Sequence, residues 1–516
     1  MMMTINSERN FTSFLYLLAL FMLPTFLFYN FVIPRTAGRM ARASSALIPD
    51  FPLWTISYPL PTTPSKTAVL HFIIIVICFV IYTTTVYLAW RMPSTRRRIT
   101  AVFVTTALFW LTSVFAVPTV GTDIFNYILR GRIAAVYGEN PYYTAADTYP
   151  NDIIYPYASH RYTAHPGGKF PTWMLFNIGL ARLGSVSDSP VYSLLLYRTA
   201  LFLLNGLNLA FIGLILHRMA PRFVIMGLLI YGWNPIVVLF GQSKTDTLMV
   251  FWLLLGIWLL VREQSRWAMV ALALSGFVKL ITLPLAAVYL ASQLWQRQWR
   301  PFITHSLVFG LTSLVVYLPF LRDLRPIQMA FVIVDNGGPP TNNTAVSTAA
   351  ATTDIFATLM ANLVPLGFLL LLIVAILWQN NSHERRIISW TILMLYFSGF
   401  LAESGLSWYL LTLFALVSLT QKPLLILSSL PLSALVFLDN HWNATFNSRF
   451  PAPDPDNLLP VLLLGTGAGL AFVVGLITLF YDDRANYKQR IADMIRQVRF
   501  RGQRLQPESD RVAQAD

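Results

Sequence analysis

The sequence predicts an all-α protein, a bundle of about 12 to 14 transmembrane helices. Hydrophobic residues make up 56% of the 516-residue chain, and charged residues make up only 12%. Many apolar runs approach or exceed the roughly 18 residues that a helix needs to cross a bilayer. The Lys and Arg residues lie mostly in short clusters between these runs, as in multi-pass membrane proteins. We therefore predict a protein that spans the lipid bilayer many times.

Charge, cysteine count and missing motifs exclude several classes of protein. The formal net charge of +14 follows the positive-inside pattern of membrane proteins, so it does not predict a nucleic-acid partner. The single cysteine, Cys78, excludes an internal disulfide. The sequence contains no P-loop, GxSxG or HExxH motif, which argues against an ATPase, a serine hydrolase and a zinc protease.

The first half of the chain can be threaded so that its basic clusters lie on one side of the membrane. The first apolar segment is too long for the core of a signal peptide, so we predict that it stays as an anchor. Four arginines, Arg91, Arg96, Arg97 and Arg98, define a cytoplasmic end. The predicted segments are 11–33, 67–90, 101–120, 190–216, 223–240 and 247–261, with outer loops at 34–66 and 120–190.

The interval 267–294 is predicted to be a broken helix. It has one apolar run but basic residues on both flanks, so a single crossing would place one basic cluster outside. Two half-helices that turn near Lys279 and Pro284 resolve this conflict. Because broken helices are tolerated at membrane depth only beside protein or a water-filled cavity, Lys279 is a candidate cavity residue. Snorkelling to the surface is the alternative.

The remaining segments complete one transmembrane domain, residues 1–481. They are 302–320, 357–378, 387–403, 407–420, 424–438 and 460–481, with an outer loop at 321–355 that could close over a site. The basic tail, 482–516, is predicted to lie on the anionic inner leaflet. Both termini are therefore predicted to be cytoplasmic.

The longest polar stretch begins where segment 101–120 ends, and it carries Asp123 at the outer surface. On a helix that begins near residue 122, Arg130 shares a face with Asp123 two turns further on. An acid and a base can then line one cavity. The alternative is that Asp123 only caps the helix.

Other polar groups are brought to the same outer face. Gln242, Lys244 and Asp246 follow segment 223–240, and Asp246 suits either a helix N-terminus or a site. Glu403, Trp408 and Tyr409 lie in a short outer turn, where the aromatic residues could equally form an interface belt. Ionisable groups at a membrane tend to mark function, so this face is the predicted site.

The run GTDIFNYILRGRIAAVYGENPYY resembles the first outer loop of glycosyltransferases of the GT-C superfamily, in particular their bacterial mannosyltransferase-like branch. The similarity covers roughly residues 100 to 420. Its further matching motifs are WNP, Asp246, Lys279 and SWYLL. The chain departs from the family pattern at GQSKTD, where Lys244 replaces the usual polar neighbour, and at HPGGKFP. The matching residues of the first loop are Asp123, Tyr127, Gly131, Arg132, Asn140, Pro141 and Tyr142.

The resemblance implies a multi-pass glycosyltransferase of a bacterial plasma membrane with an extracytoplasmic active site. It would move a sugar, mannose in the expected case, from a polyprenyl-phosphate donor to a glycan or glycolipid acceptor with inversion at the anomeric carbon. Asp123 is the expected general base, and an acid at an apolar boundary is expected to have a raised pKa. The candidate partners of the donor phosphate are Arg130, Arg132, Lys244 and Lys279. The candidate substrate contacts are Tyr127, Asn140, Tyr142, Tyr155, His165, Lys169, Gln242, Asp246, Glu403, Trp408 and Tyr409.

The sequence leaves alternatives for the cofactor and for the function. Asp123 and Asp246 could share a divalent cation, Mg²⁺ or Mn²⁺, but sequence alone does not bring them together. A flippase of lipid-linked saccharides, or another polytopic transporter, is the alternative function, although the internal repeats typical of transporters are not evident.

Overall fold

The computed structural model describes residues 7–31, 64–116, 123–323 except 159 and 168, 326, 355–379, 382–401 and 407–446, and the single residues 473 and 477. Glu403, the tail 482–516 and most of loop 321–355 lie outside the described residues. The described part contains helices and no strand, which confirms the predicted all-α class.

The α-helices are numbered here in chain order. They are α1 Ser7–Phe31, α2 Pro64–Trp90, α3 Arg96–Val114, α4 Asp123–Ala135, α5 His160–Thr163, α6 Pro171–Gly184, α7 Pro190–Met219, α8 Val224–Gly232, α9 Pro235–Phe240, α10 Asp246–Val261, α11 Ser265–Gly276, α12 Leu283–Trp295, α13 Trp299–Tyr317, α14 Ile355–Trp378, α15 His383–Leu401, α16 Leu410–Val417 and α17 Pro423–Phe446. Short 3-10 turns lie at Ala146–Thr148, Tyr155–Tyr157, Pro221–Phe223, Leu280–Thr282, Leu318–Phe320 and Ser407–Tyr409.

Four stretches of the described residues are long and apolar enough to cross a bilayer: Thr12–Phe31, Ile73–Trp90, Pro190–Met219 and Trp299–Phe320. Shorter apolar helices of 10–17 residues accompany them. Large apolar side chains are exposed along these helices, as expected where lipid rather than water is the neighbour.

The predicted segment 223–240 is interrupted rather than continuous. Helix α8 ends at Gly232 and α9 begins at Pro235. Asn234 is extended, and its side chain caps α9 by accepting a hydrogen bond from Ile236 N at 2.9 Å. Proline disfavours helical backbone in the residue before it, so the WNP sequence itself breaks the helix.

The break predicted near Lys279 is present. Helix α11 ends at Gly276, Lys279 is extended, and α12 begins at Leu283 after a 3-10 turn. The two halves pack tightly, since a Cβ on Gly276 would lie 2.3 Å from Leu283 Cδ2. The extended backbone turns Lys279 out of both helices.

Helix α6 was not predicted, because residues 120–190 were interpreted as one outer loop. Pro171 opens the helix, a position that proline favours, and Trp173 and Met174 are fully buried. Helix α4 packs against α6 and α7, and α10 packs against α7, α11 and α16. These contacts bring the N-terminal ends of α4 and α10 together.

Candidate active site

Five charged side chains converge where α4 and α10 begin. Asp123 is the first residue of α4, and Asp246 is the first residue of α10. Lys244 precedes α10, Lys279 lies in the break between α11 and α12, and Lys169 lies just before α6. These five predicted residues therefore lie close together, although they come from four separate parts of the chain.

Asp123 and Lys244 form the first ion pair. Lys244 Nζ lies 2.7 Å from Asp123 Oδ2, and the Lys244 side chain is 1% exposed whereas that of Asp123 is 25% exposed. The ammonium also lies 3.6 Å from the centre of the Trp408 ring, a cation–π contact. Trp408 and Asp123 together hold the lysine, while part of the carboxylate remains accessible.

Asp246 and Lys279 form the second pair with the exposure reversed. Lys279 Nζ lies 2.9 Å from Asp246 Oδ1, and here the lysine is 18% exposed and the carboxylate 1%. The ammonium lies 3.3 Å from the centre of the Tyr409 ring. The accessible groups of the two pairs are thus the Asp123 carboxylate and the Lys279 ammonium group.

Lys169 is the third ammonium group. Its Nζ lies 5.3 Å from the centre of the Tyr127 ring. Tyr142 donates a hydrogen bond from its OH to Lys169 O at 2.6 Å, and Thr172 N donates to Phe277 O at 3.0 Å, so the backbone on both sides is fixed. Burial lowers the pKa of Lys169, and the charges of Asp123 and Asp246 partly oppose this effect.

The electrostatics correct one expectation. Burial would raise the pKa of the Asp123 carboxyl, but the positive charges of Lys244, Lys169 and Lys279 outweigh it, so its pKa lies below the ordinary value. The predicted rise was wrong because sequence analysis placed Asp123 at an apolar boundary without its lysine partners. Asp123 is therefore ionised at neutral pH.

Buried amides on α7 fix the turn that carries Lys244 and Asp246. Asn208 Nδ2 donates to Thr247 O at 3.2 Å, and Asn205 Oδ1 accepts from Tyr231 OH at 2.8 Å. Gly241 approaches Asn205 so closely that a Cβ would lie 2.5 Å from Asn205 Nδ2. Sequence analysis missed both asparagines, although polar residues three positions apart in an apolar helix were an available signal.

The two arginines of α4 have different surroundings from the lysines. Arg132 is buried and donates from Nε to both oxygens of Asp152, at 3.1 and 2.8 Å. Arg130 is also buried, and it donates to the carbonyls of Tyr162 at 3.0 Å and His165 at 3.5 Å. Arg132 is thus paired within the protein, whereas no carboxylate forms an ion pair with Arg130 among the described residues.

Most of the other predicted substrate contacts are engaged within the protein, and Gln242 is buried without a hydrogen-bond partner. Asn140 Nδ2 donates to Phe320 O at 3.0 Å, the Tyr142 ring is 1% exposed, and Tyr155 OH donates to Asp147 at 2.8 Å. His165 is exposed, and its described contact is the one from its carbonyl to Arg130. Gln242 is 1% exposed, and neither atom of its amide has a hydrogen-bond partner.

Among the described residues, the donor set of the cluster does not fit a divalent cation. Asp123 and Asp246 are each bound to a lysine, and a third ammonium group acts on both. The described residues contain no group of three or more His, Cys, Asp or Glu side chains with metal-binding geometry. Two carboxylates among three cations favour an anionic ligand over a metal ion.

Arg198 binds the backbone at the C-terminal end of α3. It is buried in α7 and donates to the carbonyls of Ser113 at 2.8 Å, Val114 at 3.2 Å, and Ala116. The carbonyls of Ser113 and Val114 belong to the last turn of α3, where they lack helical partners, and that of Ala116 follows directly after the helix. Arg198 therefore fixes the end of the helix that precedes Asp123.

Comparison with known proteins gives one match. No curated protein and no solved structure matches the chain. The family described as alpha-(1->6)-mannopyranosyltransferase, N-terminal domain, matches residues 35–296, a range that includes all five charged residues and the break at Lys279. This match confirms the resemblance to a mannosyltransferase branch. Since the matched range is just over half of the chain, the chain belongs to the MptA_B family of alpha-(1->6)-mannopyranosyltransferases and is a membrane glycosyltransferase.

Proposed function

We propose that this mannosyltransferase takes mannose from a polyprenyl-phosphate donor and transfers it to a glycan or glycolipid acceptor at the extracytoplasmic face, with Asp123 as the general base. The observation that carries the proposal is the adjacent pair of ion pairs, Asp123 with Lys244 and Asp246 with Lys279. Such a reaction needs a carboxylate for the acceptor and cations for the phosphate. The cluster offers both at one end of the bundle.

Asp123 is suited to accept a proton from the acceptor hydroxyl. Its carboxylate is ionised and is the more accessible of the two acids in the cluster. Although a carboxylate of low pKa is a weak base, the hydroxyl becomes acidic as its oxygen bonds to an oxocarbenium-like anomeric carbon. Proton transfer late in bond formation therefore needs no raised pKa.

The lysines are suited to stabilise the departing phosphate. The bond between the anomeric carbon and the phosphate oxygen breaks, the acceptor oxygen bonds to that carbon, and its proton passes to Asp123. Polyprenyl phosphate then leaves with its added negative charge. Three ammonium groups against two carboxylates leave one net positive charge in place before the reaction, which favours that departure. Lys279 and Lys169 are the more accessible donors.

Charge distribution supports the extracytoplasmic side. Arg96, Arg97 and Arg98 lie at the start of α3, whereas Asp123 follows its end. Arg262 and Arg266 lie beyond the end of α10, whereas Asp246 begins it. Basic clusters favour the cytoplasmic side, so the charged cluster would lie opposite.

The test is transfer from radiolabelled polyprenyl-phosphate mannose to candidate glycan acceptors by the purified protein. Asp123→Asn should lower the transfer rate by about 10²- to 10⁴-fold, the usual contribution of a general base. Asp188→Asn is the matched control, because Asp188 is exposed in the turn before α7 and forms no ion pair among the described residues. Wild-type rates in Asp123→Asn would remove its role as base. Transfer from a nucleotide-linked mannose alone would reject the lipid donor.

A further inference from the structure

A second polar cluster lies at the far end of α10, away from Asp246. Helix α10 contains 16 residues, a length of about 24 Å. Just beyond its end, Ser265 Oγ lies 2.9 Å from His305 Nε2, and the His305 ring lies 5.9 Å from the ring of Tyr289. Arg386, in the first turn of α15, also contacts this group, with Cζ 4.8 Å from the Tyr289 ring centre.

Arg386 is a buried cation without a carboxylate partner among the described residues. Its side chain is only 7% exposed. One nitrogen, Nη1, lies 3.2 Å from His383 Nδ1, and Nε has no hydrogen-bond partner. The neighbouring acid, Glu384, instead pairs with Lys422 at 3.3 Å. A buried guanidinium without a nearby anion reduces the free energy of unfolding, so binding of an anion at this position would be favourable.

Gln379 adds an independent observation in the same hairpin. It follows the last residue of α14 and is 1% exposed, yet both its amide oxygen and its amide nitrogen lack partners. Two backbone hydrogen bonds connect it to Arg386 through Ser382: Ser382 N donates to Gln379 O, and Arg386 N donates to Ser382 O, each at 3.0 Å. Buried polar groups are normally paired, and an unsatisfied group often marks a missing ligand or water.

The surroundings favour a negative ligand. Burial lowers the pKa of the His383 imidazole, and the positive charges of Arg386 and Arg218 add to this effect, while the charge of Glu263 partly opposes it. Arg266 acts electrostatically on His305, whereas Arg385 stacks at 5.3 Å on Trp378 instead. Arginine binds phosphate oxygens through parallel hydrogen bonds, and an amide can donate one more.

We propose that the α14–α15 hairpin contains a phosphate-binding site formed by Arg386 and Gln379, about the length of α10 away from the transfer site. The ligand is a phosphate group, carried either by an anionic lipid headgroup or by a small soluble phosphate. This site does not depend on the proposed donor or on Asp123.

The experiment uses full-length protein that has been stripped of lipid in detergent. Binding is followed by native mass spectrometry and thermal shift with short-chain phosphatidylglycerol, glycerol phosphate and inorganic phosphate. Arg386→Gln should weaken binding at least about 10-fold, the loss expected for a charge-assisted hydrogen bond. Arg385→Gln is the matched control, since it removes the same charge one residue away and should change binding less than about 2-fold.

The comparison among probes identifies the source of the phosphate. Tight binding of the lipid with little competition from glycerol phosphate indicates a headgroup site, and tight binding of either soluble probe indicates a soluble phosphate. If Arg386→Gln does not fold, Gln379→Leu tests the same site and should weaken binding while stability without ligand is kept. Absence of binding to the wild type, or equal losses in the Arg385 and Arg386 variants, would overturn the proposal.

Discussion

At the scale of single residues, each carboxylate in the cluster is held by a lysine, and each lysine is held by an aromatic ring. Trp408 covers Lys244 and Tyr409 covers Lys279. Sequence analysis predicted all six residues as candidates, because polar groups at the ends of apolar segments are rare. It could not predict the pairing, because the partners lie 121 and 33 residues apart and meet only through helix packing.

The Asp123 pair leads to a prediction about pH. Burial raises the pKa of Asp123, and Lys244 is the largest of the opposing influences. If Asp123 must be ionised, activity falls as the pH drops through its pKa. Lys244→Met removes the positive charge that lowers the pKa of Asp123. The pKa of Asp123 should then rise, and the acidic limb of the kcat/KM profile should move to higher pH.

Lys244→Arg is the control for that profile. Because it keeps the charge, its acidic limb should stay near that of the wild type even if the overall rate changes. An acidic limb that stays in place in Lys244→Met would mean that another group sets the pH dependence.

Arg132 leads to a prediction about stability. Its partner Asp152 is fully buried and also accepts hydrogen bonds from Tyr137 OH and Ile154 N. Arg132→Met leaves that carboxylate without its cation, which should cost about 3–5 kcal/mol of folding free energy. Thermal unfolding in detergent measures the loss, with Arg182→Met, an exposed arginine on α6, as the control.

The same variant separates the two interpretations of Arg132. A structural arginine gives a large fall in the unfolding temperature and a near-normal donor KM in the protein that remains folded. A phosphate-binding arginine, as sequence analysis expected, gives the reverse: normal stability and a raised donor KM.

At the scale of elements, the site depends on how closely α4 packs on its neighbours. A Cβ on Gly131 would lie 2.8 Å from Asn177 O and 2.9 Å from Tyr197 OH, so only glycine fits. Gly131→Ala must push α4 away from α6 and α7 and displace Asp123 at its start. Because shifts of about 1 Å can cost about 100-fold in rate, kcat should fall strongly.

Gly179→Ala on α6 is the matched control for this packing argument. The same methyl group there meets no atom within 4 Å. It should leave kcat unchanged and slightly favour the helix, since alanine is the better helix former by about 1 kcal/mol. Equal kcat values in the two variants would show that Asp123 does not depend on the α4–α6 contact.

Sequence patterns predicted one of the two helix breaks and missed the other, together with a helix in the polar stretch. The break at Lys279 followed from a conflict between one apolar run and two basic flanks. The WNP break and helix α6 were missed, although Pro235 and Pro171 carry the same local signal, a proline at the first helical position. In both of these cases the segment was interpreted from its hydropathy, whereas the proline determines where the helix begins.

At the scale of the whole molecule, the charged cluster and the basic loops lie at opposite ends of the same helices. Asp246 and Arg262 lie at the two ends of α10, and the Arg386 cluster lies at the same end as Arg262. From the positive-inside rule we expect Arg386 in the cytoplasmic half and Asp123 outside. Donor lipid and acceptor would have to meet on the outer side.

Cysteine labelling tests this sidedness, because the chain has a single, buried cysteine, Cys78. In a Cys78→Ala background, Thr148→Cys places a thiol in the exposed polar stretch after α4, and Gln264→Cys places one in the exposed turn between α10 and α11. A membrane-impermeant maleimide should label the first only in right-side-out vesicles and the second only in inside-out vesicles. Labelling of both from one side would place the Asp123 site and the basic turns on the same face, which is incompatible with an extracytoplasmic transfer site. The Cys78→Ala parent, which has no thiol, supplies the background in both preparations.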